Sequence, residues 1–172
     1  MRKLLIGQFS HIKSNFATSS EGNLIHSIPC PPDRQLLFSL VWLQGRVLAT
    51  SAPQTPTPHF LLDDGTGSVL VTIEPDTELP QFGSYVSVIG EILHTSSDIT
   101  DFFPERRPSL TAWKLSARSV MCLSLVDAFF SNDGGYSESC APSSAYAELA
   151  WPLEVMDMSR TYFAPLSTTT SE

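Results

Sequence analysis

HFLLDDGTGSVLVTIE, residues 59–74, reads as a β-hairpin. His59–Leu62 and Ser68–Ile73 are rich in strand-favouring residues, and Asp63-Asp64-Gly65-Thr66-Gly67 between them supplies turn residues that accept positive φ. Upstream, SAPQTPTP at 51–58 places prolines at 53, 56 and 58, each of which removes a backbone donor, so this stretch is a loop. Before it, Leu36–Ala49 reads as one long strand. Val41, Leu43, Gly45 and Val47 share one side of it, and Trp42, Gln44, Arg46 and Leu48 share the other. Gly45 is the point at which it is expected to bend.

Downstream, Pro75–Phe82 is a polar connection and Ser84–Leu93 a fourth strand, with Gly90 as a second bend. His94–Arg107 reads as a loop and Ser109–Ala117 as a fifth strand. Five strands at this spacing, with almost no helical period before residue 120, predict a compact all-β five-stranded barrel over residues 35–117. Residues 1–34 are basic and rich in hydroxyls, and read as a flexible tail. Residues 118–144 contain the apolar run VMCLSLVDAFF and the small polar stretch SNDGGYSESCAPSS, and read as an insertion or loop.

From 145 to 163 the pattern turns helical, with a disordered tail expected over 164–172. Tyr146, Leu149, Leu153 and Met156 form one apolar stripe, and Trp151, Val155, Met158 and Tyr162 a second. One stripe can cover the barrel, which leaves the other for a partner. Pro152 is tolerated in a first turn and disfavoured in a helix interior, so the helix is expected to start near Trp151.

The 172 residues suit one domain, and the formal net charge of −8 is uneven, about +2 over residues 1–34 and −10 beyond. An acidic body lacks the Lys and Arg whose counterion release drives binding to a phosphate backbone. No Lys or Arg occurs between residues 47 and 105. Direct nucleic-acid binding is therefore expected to be weak or absent. Cys30, Cys122 and Cys140 form no C-x-x-C pair, which speaks against a disulfide framework or zinc site and fits a reducing, intracellular setting. His11, His26, His59 and His94 lack metal-ligand spacing, and no apolar stretch is long enough to span a membrane. The Asp-Asp-Gly-Thr-Gly order does not match an aspartic-protease loop, and neither a G-x-S-x-G elbow nor a nucleotide-binding P-loop is present. The expectation is a non-enzyme without cofactor or metal.

Three fragments, VWLQGRV at 41–47, AWKL at 112–115 and WPLEVMDM at 151–158, resemble the small subunit of the RecQ-mediated genome instability pair. The likeness spans roughly residues 36–117 and 145–162. It implies an oligonucleotide-binding (OB) fold barrel with a C-terminal docking helix, in a nuclear, non-catalytic subunit. That subunit would pair with a larger OB-fold partner and, through it, with a RecQ helicase and a type IA topoisomerase that dissolve double Holliday junctions. By position, Lys114 matches a lysine that helps partner docking and Trp151 the tryptophan opening the final helix. Leu153, Val155, Met156, Met158 and Tyr162 complete the implied partner-binding set. The alternative is an autonomous single-stranded-DNA-binding protein of the replication protein A middle-subunit type, which the barrel pattern also suits. The connection from Lys114 to Trp151 is longer than the family's usual one.

Overall fold

A computed structural model describes residues 1–18, 24–30, 34–52, 54–94, 110–123 and 142–163. Among the described residues, nine strands and one α-helix run in the order β1 (Arg2–Lys3), β2 (Lys13–Thr18), β3 (Leu24–Cys30), β4 (Arg34–Phe38), β5 (Val41–Thr50), β6 (His59–Asp63), β7 (Ser68–Thr72), β8 (Tyr85–His94), β9 (Leu110–Cys122) and α1 (Pro142–Phe163). A 3-10 helix, Ile6–His11, lies between β1 and β2.

β5 through β9 close a barrel. Each strand pairs with the next in the order β5-β6-β7-β9-β8, and β8 returns to β5. All contacts are antiparallel except β7–β9, whose parallel pairing closes the ring. This is the five-stranded OB connectivity. The hairpin at 59–74 forms as the sequence predicts, with Gly65 at φ 82° and its N–H donating to Asp63 Oδ1 at 2.9 Å. Phe60, Leu62, Val69, Val71, Val86, Val88 and Leu115 point inward to the core.

The bend in β5 is where the barrel turns its corner. Val41–Arg46 pairs with β8 and Arg46–Thr50 pairs with β6, so Arg46 opposes both Tyr85 and Asp63. A Cβ at Gly45 would lie 2.3 Å from the Asp63 carbonyl oxygen, so only glycine lets the two strands approach this closely. The expected single strand 36–49 is two strands, because the chain breaks direction at Ser39-Leu40 between β4 and β5.

The described residues within 1–34 are folded onto the barrel, not part of the flexible tail expected from their composition. β1 pairs in parallel with Val41 and Trp42 of β5, along the edge that β6 leaves open. Leu4, Ile6, Phe9 and Ile12 enter the barrel core. The 3-10 helix seats on the hairpin turn, where the Ile6 N–H donates to Asp64 Oδ2 at 2.7 Å and the Gly7 N–H to Thr66 Oγ1 at 2.9 Å. β2, β3 and β4 form a second, antiparallel sheet. Its buried face, with His26, Ile28, Cys30, Leu36 and Phe38, joins the same core. A two-residue strand and one 3-10 helix are too short to leave a readable period.

Residues 118–122, expected as part of an insertion, continue β9, and 119–122 pair with Val86–Ile89 of β8. The apolar start of VMCLSLVDAFF is thus an extended barrel strand; 124–141 and the tail 164–172 lie outside the described residues. The helix also begins earlier than Trp151, at Pro142, and carries Pro152 in its interior.

His26 is buried, with its ring 5.7 Å from that of Trp113 and 5.9 Å from that of Phe38, and Nδ1 has no hydrogen-bond partner among the described residues. Burial holds its pKa below the usual histidine value, opposed by a hydrogen bond to the Ile92 backbone and the charge of Glu91. Because the folded pKa is the lower one, the unfolded chain takes up the proton first as pH falls, and stability is lost below about 6.5. Melting temperatures at pH 7.5, 6.5 and 5.5 should therefore fall with pH less steeply in His26→Phe than in the natural chain; equal slopes would show that His26 contributes nothing. At the barrel corner, Gly45→Ala should cost about 1–3 kcal/mol through overpacking, read as a lower urea midpoint at unchanged m-value.

Candidate functional site

α1 lies against β5 and has apolar residues on two sides. Toward the barrel, Trp151 and Val155 are each 1% exposed. Away from it, Tyr146 is 74% exposed, Leu149 74%, Leu153 66% and Met156 46%. Successive steps of three, four and three place those four along one helical stripe, the spacing of a and d positions in a helix-pairing seam. Of the two stripes predicted from periodicity, the first stands exposed, and of the second Trp151 and Val155 are buried toward the barrel.

Outward-facing side chains of β5 and β1 hold the inner stripe. The Trp42 ring lies 5.7 Å from that of Trp151, tilted by 47°, and its Nε1–H donates to Ser87 Oγ at 2.7 Å. Arg46 grips Glu148 with two bonds, Nε–H to Oε1 at 2.8 Å and Nη2–H to Oε2 at 2.6 Å. The bond to Glu148 is the main cause that raises the already high Arg46 pKa. Lys3 reaches Glu154 Oε2 at 2.6 Å and stands 4.3 Å above the Trp42 ring centroid. A cleft of about 190 Å³ remains between helix and barrel, lined by Arg46, Leu48, Asp64, Tyr85, Glu148 and Trp151 among others. Burial first, and then the nearby Glu148 carboxylate, push the Tyr85 phenol pKa upward, so the ring enters this cleft neutral.

The partner-binding set divides accordingly. Leu153 and Met156 face outward, Trp151 and Val155 face the barrel, and Met158 is half-buried. The Tyr162 side chain lies outside the described residues. Lys114 is half-buried on β9, opposite Leu70 of β7 and Leu93 of β8, and β8 separates it from the strand that carries the helix. Lys3, Trp42, Arg46, Glu148 and Glu154 were absent from the predicted set. A signal for them existed: Trp42 and Arg46 share the outward side of β5, and Glu148 and Glu154 flank Trp151 at helical spacing.

Among the described residues, the outer side of β6 and β7, a face that serves single strands in other OB folds, is largely buried. Leu61 and Leu70 alternate with the core residues of β6 and β7, yet both are buried, as are His59 and Ser68. Among the described residues, no group of three His, Cys, Asp or Glu side chains converges to hold a metal ion, and no helix is long and apolar enough to cross a membrane.

A family model described as RecQ-mediated genome instability protein 2 matches residues 1–121. The chain belongs to that family. The match begins at residue 1 and so includes the 3-10 helix and β1, which carries Lys3. No curated protein sequence matches the chain. Among solved structures it is similar to a chain of a replication protein A heterotrimer bound to single-stranded DNA. The TM-score is 0.53 at 14% identity, over 94% of this chain and 97% of that one. A chain of the S. pombe Stn1-Ten1 complex gives a TM-score of 0.47 at 14% identity, over 74% and 76% of the two chains. At such identities the likeness is one of fold. Together these findings describe an OB-fold protein of a genome-maintenance family.

The grip of Arg46 on Glu148 generates a direct test. Arg46→Ala should lower the helical circular-dichroism signal or the melting temperature only slightly, by well under about 1 kcal/mol, because both side chains are partly exposed to solvent. Trp151→Ala should cost about 3–5 kcal/mol if the helix packs as described. Equal effects of the two variants would contradict the burial of Trp151.

Proposed function

We propose that the chain is a non-catalytic OB-fold subunit that pairs with a larger OB-fold partner through the outward stripe of α1. Through that partner it would stabilise a nuclear complex of a RecQ helicase and a type IA topoisomerase that dissolves double Holliday junctions. One observation carries the docking reading: four large apolar side chains at seam spacing stand exposed on a helix whose opposite face is already buried. Such spacing suits a partner helix, since knobs at a and d positions seat in holes between four residues of a facing helix. Membership of the family supports the genome-maintenance part of the reading, and the OB-fold subunits among the structural neighbours support an OB-fold partner.

Two groups of residues then have different roles. Leu149, Leu153 and Met156 contact the partner, whereas Trp151 and Val155 fix the helix on its own barrel. Substitution of the first group should abolish pairing without loss of fold. Substitution of the second should weaken both. Leu149→Asp with Leu153→Asp should weaken capture of the larger OB-fold subunit by about 2 kcal/mol or more, roughly 30-fold, at an unchanged melting temperature. Co-purification of that double variant at the natural level would remove the basis of the proposal.

Autonomous binding of single-stranded DNA is the second reading, and the buried outer face of β6 and β7 disfavours it. Three basic side chains, Lys3, Arg46 and Arg118, are already engaged by Glu154, Glu148 and Glu91. Titration with a fluorescent oligonucleotide at 50 and 200 mM salt separates the readings, because a true binder loses affinity steeply as salt rises. Weak binding at both salts is the expected outcome.

A further inference from the structure

We infer that Lys3 is a positioning residue that pins the docking helix to the barrel from the N-terminal strand. The partner-docking consequence rests on the function proposed above; the pinning itself concerns only this chain. Lys3 Nζ stands 2.6 Å from Glu154 Oε2, 4.3 Å from the Trp42 ring centroid and 5.4 Å from the Trp151 ring centroid. One cation thus touches the barrel through an indole, and the helix through a second indole and a carboxylate. A cation between two aromatic faces is held by both ring quadrupoles, and partial desolvation strengthens that attraction.

The helix needs such a pin because its other attachments are few. Among its described side chains only Trp151 and Val155 are buried. Seating Trp151 also hides its indole N–H, which has no hydrogen-bond partner among the described residues, and this opposes docking. The bond from Arg46 to Glu148 is solvent-exposed and individually weak. Lys3 is the better shielded of the two helix-holding cations, with its side chain 22% exposed against 52% for Arg46. Its own place is fixed by the parallel pairing of β1 with β5 and by Leu4 in the core. The N-terminus therefore sets the fraction of molecules in which α1 lies docked with its apolar stripe outward. An undocked helix would leave both stripes free to rotate, and a partner would bind it with the cost of ordering added.

Hydrogen exchange on the full chain, without any partner, tests the pin. Lys3→Met keeps the aliphatic stem and removes the charge, and Glu154→Gln removes the other pole from the helix side. Both should accelerate exchange of amides 146–158 by roughly threefold while β5–β9 amides keep their natural rates, and Lys3→Arg should retain most of the protection. Natural exchange rates over 146–158 in both Lys3→Met and Glu154→Gln would overturn the inference. If Lys3→Met also loosens the barrel, Glu154→Gln decides: faster exchange of α1 over an unchanged barrel supports the pin, and unchanged exchange refutes it. Failure of the natural chain to capture the larger subunit would sink the docking reading and leave these exchange rates as they are.

Discussion

The close approach of β5 and β6 at Gly45 is the constraint from which the rest of the molecule follows. Without a Cβ at that position, the Asp63 carbonyl can crowd the strand, and the next residue, Arg46, pairs with β6 on one side and β8 on the other. A strand shared by both halves closes a small barrel without an open edge. The same corner turns the Arg46 side chain outward to Glu148, so one backbone feature both closes the core and fixes a point of attachment for the helix.

The helix resolves a conflict that its sequence poses. Apolar residues on two sides cannot all be covered by one barrel, and a single barrel-facing stripe would suffice to hold a structural helix. The barrel takes the side with the larger buried aromatic, Trp151, whose indole meets Trp42 and Lys3. The other side keeps Tyr146, Leu149, Leu153 and Met156 in solvent. Retaining four such side chains in water is unfavourable for the isolated chain and becomes favourable when a second surface covers them.

Legibility followed the length of each element's period. The hairpin at 59–74, β5 and β8 carry alternating residues over five to ten positions, and their registers match the pattern. In the N-terminal third, Arg2–Lys3 and Ile6–His11 are too short to leave a period and are held by partners far away in sequence, such as Val41 and Asp64, whereas β2 and β3, six and seven residues long, were obscured by the basic, hydroxyl-rich composition of residues 1–34. Pro152 misled the helix boundary, since its cost within a helix was outweighed by the burial of neighbouring Trp151 and Val155. At the site, periodicity located both stripes but could not say which one faces the barrel. That choice depends on Trp42, Arg46 and Lys3, which lie more than a hundred residues away in sequence.

Charge placement bears on how this barrel would meet a phosphate backbone. Binding a phosphate backbone needs free cations near exposed aromatic platforms. Here Lys3 and Arg46, the cations beside the half-buried Trp42, are committed to glutamates of the molecule's own helix. On the outer side of β6 and β7, His59, Leu61, Ser68 and Leu70 are buried, so they present no stacking platform. Two cations of β1 and β5 thus hold α1, and the apolar stripe on the far side of that helix stays exposed, which is the surface the proposed pairing would use.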